Sequence, residues 1–336
     1  MTLKTAIVAF ACAVAVAWAA TVQAEPAKFR IQLVDAPGHI TPLIPEAPKE
    51  IYRHYGKSYV VEPMFLAGSG PALTALAAGE IDLAGLSGQA IALAVTEAKL
   101  DVRDIGQQLS GDVPGYGGAG FWVRKGEIAK IEDLKGKVIG INARGSTPDA
   151  NVRVMMTRHG LVDGKDYQVA ELRFPAQIAA LESKRIDLAS LIPPFNLLAA
   201  KNPNLVQLFS AGEALGPTET LGWVGKAEFV AKNRAALVDF LEDNMLLRRW
   251  LYDPKTRPQG IELLARIAKR KTEDFAEWAY TRKDNYRDPQ AMVNVERLQK
   301  NIDDLTQLGL IPARIEARNY VDMSLAREAA SRLGTN

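Results

Sequence analysis

Cysteine is almost missing from this chain: of 336 residues, one is cysteine, Cys12. It lies in an uncharged Ala/Val-rich run, Ala6–Ala20, behind Lys4 and ahead of Val22-Gln23-Ala24. That sequence is a secretory signal with cleavage after Ala24, so 1–24 is set apart from the fold. Ala9-Phe10-Ala11 is a poor lipidation context for Cys12, and the apolar run continues beyond it. A chain cleaved there holds no cysteine at all. Disulfides, thiol catalysis, Cys-ligated zinc and iron–sulfur clusters are thereby excluded. Histidine is scarce too: His39, His54 and His159 stand in no metal-binding spacing, and no G-x-S-x-G elbow occurs. Charge of one sign is lacking, 41 basic against 39 acidic residues, which argues against nucleic acid as the partner. No later apolar run reaches the ~20 residues of a membrane span, so no membrane insertion is expected of the exported chain.

What is present is an internal repeat. Pro71–Leu86 (PALTALAAGEIDLAGL) and Ala176–Leu191 (AQIAALESKRIDLASL) match without gaps and share Ile-Asp-Leu-Ala. Each reads as a short helix followed by a buried strand, Ile81–Leu86 and Ile186–Ile192. A strand precedes each copy, Tyr59–Leu66 and Tyr167–Phe174. A further strand heads each half, Phe29–Ala36 and Lys137–Asn142, followed by a helix, Leu43–Tyr55 and Asp149–His159. This alternation predicts two α/β lobes with mostly parallel sheets. Beyond Ala227 the pattern is helical only. Gly120–Arg124 and Leu221–Gly225 read as two crossings between lobes. The expected organisation is 25–119 with 225–336 as lobe 1, including a helical C-terminal extension, and 120–224 as lobe 2.

Gly79-Glu80-Ile81-Asp82-Leu83 behind an Ala/Leu helix resembles a segment of the periplasmic solute-binding proteins of ABC importers. Ile131-Glu132-Asp133-Leu134-Lys135-Gly136-Lys137-Val138-Ile139-Gly140 is similar to the segment that opens their second lobe, and Gly145-Ser146-Thr147 falls where they carry a Ser-containing loop. The nearest branch binds nitrate, alkanesulfonates, taurine and thiamine-pyrimidine precursors. A neighbouring branch serves tripartite carboxylate transporters. The resemblance, over about residues 28–225, implies a two-lobed periplasmic-binding-protein fold. It also implies a ligand in the interlobe cleft, hinge closure, a periplasmic location and ABC importer membrane subunits as partners.

Ligands of open α/β sheets sit beyond the carboxyl ends of the strands, which selects the loops there. Gly68-Ser69-Gly70, Ser87-Gly88 and Arg144 with Ser146-Thr147 each lie between a strand and a helix, where free amides and the helix dipole suit an anion. Ser69 also reads as an N-cap, and Arg144 as a solvated surface charge. Gly38-His39 follows the first strand, and Phe195 follows the second repeat. Trp223 sits where relatives often place an aromatic residue near the cleft. Gly115–Gly120 (GYGGAG) matches G-x-G-x-x-G but lacks the strand before it and the helix after it, so it is no dinucleotide site. Asp82 and Asp187 fall at equal repeat positions, at the strand ends away from the cleft, and read as structural.

The expected function is capture of a small anionic organic solute, sulfonate- or carboxylate-like, for an ABC importer, by a monomer without cofactor, metal or catalytic residue. An enzyme on the same bilobal scaffold, such as a thiamine-pyrimidine-synthase-like protein, is the alternative. A periplasmic sensor or chaperone-like module is a third reading.

Overall fold

The computed structural model describes residues 25–34 and 36–334; the signal sequence lies outside the described residues. The chain opens with strand β1 (Ala27–Leu33), then β2 (Tyr59–Phe65), α1 (Ser69–Ala78), β3 (Ala84–Leu86), α2 (Gly88–Thr96) and β4 (Val102–Gly111). Next come β5 (Gly120–Arg124), β6 (Val138–Ile141), α3 (Thr147–Arg158), β7 (Gln168–Glu171), α4 (Phe174–Glu182) and β8 (Leu188–Leu191). They are followed by α5 (Phe195–Ala200), β9 (Leu205–Ser210), α6 (Ala211–Leu215) and β10 (Thr218–Lys226). The remainder is helical: α7 (Ala227–Lys232), α8 (Arg234–Tyr252), α9 (Arg257–Ala268), α10 (Glu273–Ala276), α11 (Val295–Gln307) and α12 (Ser324–Arg332).

Two sheets result, and they repeat one topology. In the second, the strand order is β7-β6-β8-β5-β9. In the first, β1 pairs with β2, β3-β10-β4 form a group, and a parallel bridge from Ile31 to Leu83 links β1 to β3. The order is therefore β2-β1-β3-β10-β4, with β10 antiparallel to β3 and β4 as β5 is to β8 and β9. The two repeat copies end in different sheets, in β3 and β8. Their aspartates do equivalent work. Asp82 accepts the N–H of Arg30 in β1 at 2.8 Å, and Asp187 accepts the N–H of Val138 in β6 at 3.0 Å. Each also binds an arginine side chain, Arg30 and Arg124.

Several elements differ from expectation. No α-helix forms over Leu43–Tyr55; Pro42, Pro45 and Pro48 remove amide donors, and only 3-10 turns at Thr41–Leu43 and Lys49–Ile51 remain. The expected crossings Gly120–Arg124 and Leu221–Gly225 are interior antiparallel strands; the chain passes between sheets through 112–119 and 211–217. Because β10 pairs with β3 and β4, the chain has returned to the first sheet by Thr218. The helical tail covers that sheet through an aromatic cluster. Phe240 of α8 meets Phe29 at 6.2 Å, Tyr59 at 5.6 Å and Trp223 at 5.3 Å between ring centroids.

Candidate ligand-binding cleft

The loops at the carboxyl ends of the strands meet across the two sheets. Ser87 caps α2, its Oγ accepting the Ala90 N–H at 3.2 Å, and Ser146 caps α3, accepting from Asp149 at 3.4 Å. Gly68 stands at the N-cap of α1. Hydrogen bonds then join the two sides directly. Asn142 Nδ2 donates to the Ala67 carbonyl at 2.9 Å, Ser87 Oγ to the Gly145 carbonyl at 3.1 Å, and Thr147 Oγ1 to the Thr220 carbonyl at 3.2 Å. Packing there is close: a Cβ on Gly68 would come within 2.7 Å of Asn142 Nδ2 and 2.9 Å of the Ala143 Cβ.

These contacts lie beside a cavity of about 90 Å³. Its walls are largely apolar, with Val34, Leu109, Phe174, Ile192 and Leu221 among them. Gly38, His39, Gly68, Ser69, Ser146 and Thr147, all singled out from the sequence, line it. Ser69 is nevertheless engaged within its own lobe, donating to the Gly85 carbonyl at 3.0 Å and accepting from the Ser87 N–H at 3.1 Å. Ser146 Oγ likewise lies 2.9 Å from Asn142 Oδ1 and 2.7 Å from the Ala143 carbonyl. What the helix starts still offer is backbone amides, as N-terminal turns do.

The other expected residues lie elsewhere. Gly70 packs against the Arg144 carbonyl, and Ser87 and Gly88 border a separate gap of about 10 Å³. Arg144 does not line the cavity; its guanidinium pairs with Asp163 at the surface. Phe195 is 3% exposed and packs with Trp122 and Phe174 beside a second cavity of about 380 Å³. Trp223 is fully buried in the aromatic cluster, since β10 turns its side chain into the core of the first sheet.

The lining of the cavity carries one carboxyl, Asp112. No lysine or arginine is among the described residues that line it. Asp112, in the connection after β4, has its carboxyl pushed up to about 6 by burial, against hydrogen bonds from the Gly212 and Ala119 amides. His39 is pushed down to about 4, chiefly by burial, with Gln108 opposing and Arg287 reinforcing the shift. It is therefore neutral near pH 7. Gln108 Nε2 donates to the Gly222 carbonyl at 3.4 Å, so Gln108 Oε1 faces His39 Nε2 at 2.8 Å and makes that nitrogen the protonated one. The N-terminus of α3 carries its own carboxylate: Asp149 Oδ2 accepts the Gly145 N–H at 2.9 Å.

Sequence reasoning missed Asp112, because β4 before it was unrecognised, and Asn151, which lines the cavity one helical turn after Thr147. The i, i+4 spacing from Thr147 was the available signal. A separate acidic group, His54, Asp239 and Glu242, has ligand atoms close enough to hold a metal. Arg53 at 2.8 Å from Glu242 and Arg332 at 2.8 Å from Asp239 already pair with it. Among the described residues no helix is long and apolar enough to cross a membrane.

A family model described as NMT1/THI5 like matches residues 60–243, more than half of the chain. No curated protein matches by sequence. Among solved structures, the periplasmic aliphatic sulphonate binding protein SsuA from Escherichia coli is 20% identical, with a TM-score of 0.64 over 90% of this chain and 99% of that one. The alkanesulfonate-binding protein SsuA from Xanthomonas axonopodis pv. citri, bound to MOPS, is 18% identical (TM-score 0.68, 89% and 99% covered). The periplasmic nitrate-binding protein NrtA from Synechocystis PCC 6803 is 17% identical (TM-score 0.68, 92% and 89% covered). At these identities the likeness is one of fold, the two-lobed periplasmic-binding-protein fold.

Proposed function

We propose, because the chain belongs to the NMT1/THI5-like family, that it is a periplasmic solute-binding protein that captures a small organic solute between its lobes and hands it to an ABC importer. Export follows from the signal sequence 1–24. Lobe 1 comprises 25–111 and 218–336, and lobe 2 comprises 120–210; the connections 112–119 and 211–217 act as the hinge. The supporting observation is the cavity of about 90 Å³ at the strand ends of both sheets, bridged by direct hydrogen bonds between the loops of the two sides. Solute-binding proteins for sulphonates and nitrate share the fold. The chain acts as a monomer, leaving both lobes free to dock on the membrane subunits.

The sulfonate or carboxylate head group expected from the sequence has the amides at the starts of α1 and α3 in its favour. Against it stand Asp112 in the lining and Asp149 at the start of α3, with no lysine or arginine among the described lining residues to balance them. A solute without net charge fits this lining better.

Native mass spectrometry of the protein isolated from the periplasm tests the function. The expected result is one small molecule bound per chain, released intact on unfolding, whose return contracts the protein in small-angle scattering. A chain that neither carries nor rebinds a small molecule refutes the reading. The THI5 part of the family description supports one rival, an enzyme of thiamine-pyrimidine-synthase type. Turnover of the bound molecule would establish that rival.

A further inference from the structure

The cavity holds polar atoms to which the described residues offer no partner. Asn151 is 1% exposed and lines the cavity, and neither its Oδ1 nor its Nδ2 makes a hydrogen bond. His39, 4% exposed and also in the lining, leaves Nδ1 unpartnered, its Nε2 being held by Gln108. Buried polar groups in native proteins are nearly always satisfied. Gln32, also in the lining, follows that rule, bonding through both ends of its amide to the Gly68 carbonyl at 3.1 Å and the Gly85 N–H at 2.7 Å. An orphaned donor and acceptor on one side chain, inside a cavity, call for a matching group on the occupant.

An asparagine amide presents its acceptor and its donor in one plane, and its complement is a group with a donor and an acceptor side by side. A primary amide or a lactam has that edge. A carboxylate or sulfonate offers acceptors only and would set oxygen against Asn151 Oδ1. An ammonium offers donors only and would leave Nδ2 unmet. Turning the Asn151 amide over exchanges the two atoms without changing the conclusion. Asp112 in the same lining adds a further acceptor and repels an anion. The cavity of about 90 Å³ is smaller than the ~150 Å³ void that holds a benzene. It suits a short apolar body against Val34, Leu109, Phe174 and Ile192.

We propose that Asn151 determines the specificity of the cleft, pairing through Oδ1 and Nδ2 with the adjacent donor and acceptor of an uncharged amide- or lactam-type solute, while His39 Nδ1 accepts a second N–H or O–H. This deepens the solute-binding reading and rests on it.

Butanamide and butyrate are matched probes, equal in size and differing in donor and charge. Titrated calorimetrically up to roughly 0.1 M, the wild-type protein binds butanamide at least about tenfold more tightly than butyrate. Asn151→Asp, which keeps the size but offers only acceptors, cancels that advantage, and Asn151→Leu weakens the amide further. Butyrate binding as tightly as butanamide, a preference that survives in Asn151→Asp, or no binding of either probe overturns the proposal. Should neither variant fold, the wild-type ratio decides alone. Mass spectrometry of the solute carried from the periplasm separates the two readings. An anionic solute there overturns this inference and leaves solute binding standing; no solute at all overturns both.

Discussion

Gly70→Ala reports directly on closure. Gly70 sits in the first turn of α1, where a Cβ would overlap the Arg144 carbonyl oxygen on the facing lobe. The obstacle is backbone, which cannot swing aside as a side-chain tip can. Relief requires the lobes to part by about 1 Å at this point, which stretches Ser87 Oγ–Gly145 O (3.1 Å) and Asn142 Nδ2–Ala67 O (2.9 Å) beyond useful length. At ~0.5–1.5 kcal/mol for each bond, closure loses about 1–3 kcal/mol. If affinity derives from the closed form, the dissociation constant rises roughly 5- to 150-fold. The fold itself should not suffer: Gly70 is not held at positive φ, and alanine in its place restricts the unfolded chain, a gain of ~0.4–1 kcal/mol. The assay is calorimetry with the solute extracted from the wild-type protein, beside urea unfolding of both proteins. Small-angle scattering with solute present should show the variant more extended. Parent-like affinity and dimensions in a folded Gly70→Ala protein would refute the argument that these loops meet on closing.

The cavity's two titrating groups act in opposite directions on stability. Asp112, raised to about 6, binds its proton more tightly folded than unfolded; its contribution is full below ~4 and is lost as pH rises through 6, about 1–3 kcal/mol allowing for partial exposure. His39, lowered to about 4, contributes above ~6.5 and loses that contribution as pH falls towards 4. Urea titrations between pH 4 and 8 should therefore lose the first limb in Asp112→Asn and the second in His39→Gln; unchanged limbs would show that neither group is buried as described. Arg144→Ala should leave solute affinity within about twofold and cost no more than ~1 kcal/mol of stability, since it breaks a half-exposed surface pair with Asp163 and a longer approach, 3.9 Å, to Asp149. A large affinity loss would put Arg144 in the cleft after all. Trp223→Ala should cost ~3–5 kcal/mol in urea unfolding, as truncation of a fully buried aromatic does; a loss below ~1 kcal/mol would contradict its place in the core.

The apolar strands, the helices that start at Ser69, Gly88 and Thr147 and the kinship of the two sheets were legible in the sequence. Each depends on local pattern: an Ile-Asp-Leu-Ala strand reads as a strand wherever it lies, and Ser87 and Ser146 cap helices by contacts within three residues. Asp82 and Asp187 were legible as structural residues for the same reason. Strand β4 was not, because Asp104, Gln107, Gln108 and Ser110 give it no apolar run. They are buried only because remote groups satisfy them, among them Glu219 for Ser110 and Gly222 for Gln108. The helix expected over Leu43–Tyr55 fails because Pro42, Pro45 and Pro48 remove amide donors there. The site divides along the same line. That the loops of Gly38-His39, Gly68-Ser69 and Ser146-Thr147 line one cavity was legible from strand ends; the Asp112 connection was not, and the Ser87-Gly88 loop borders a separate gap. Which side chains face the cavity was not legible: Arg144 turns to Asp163, Trp223 into the first core, and the Ser69 hydroxyl to Gly85. Those directions, and the unmet amide of Asn151, are set by partners distant in sequence, whose positions exist only once both sheets have formed and their loops have met.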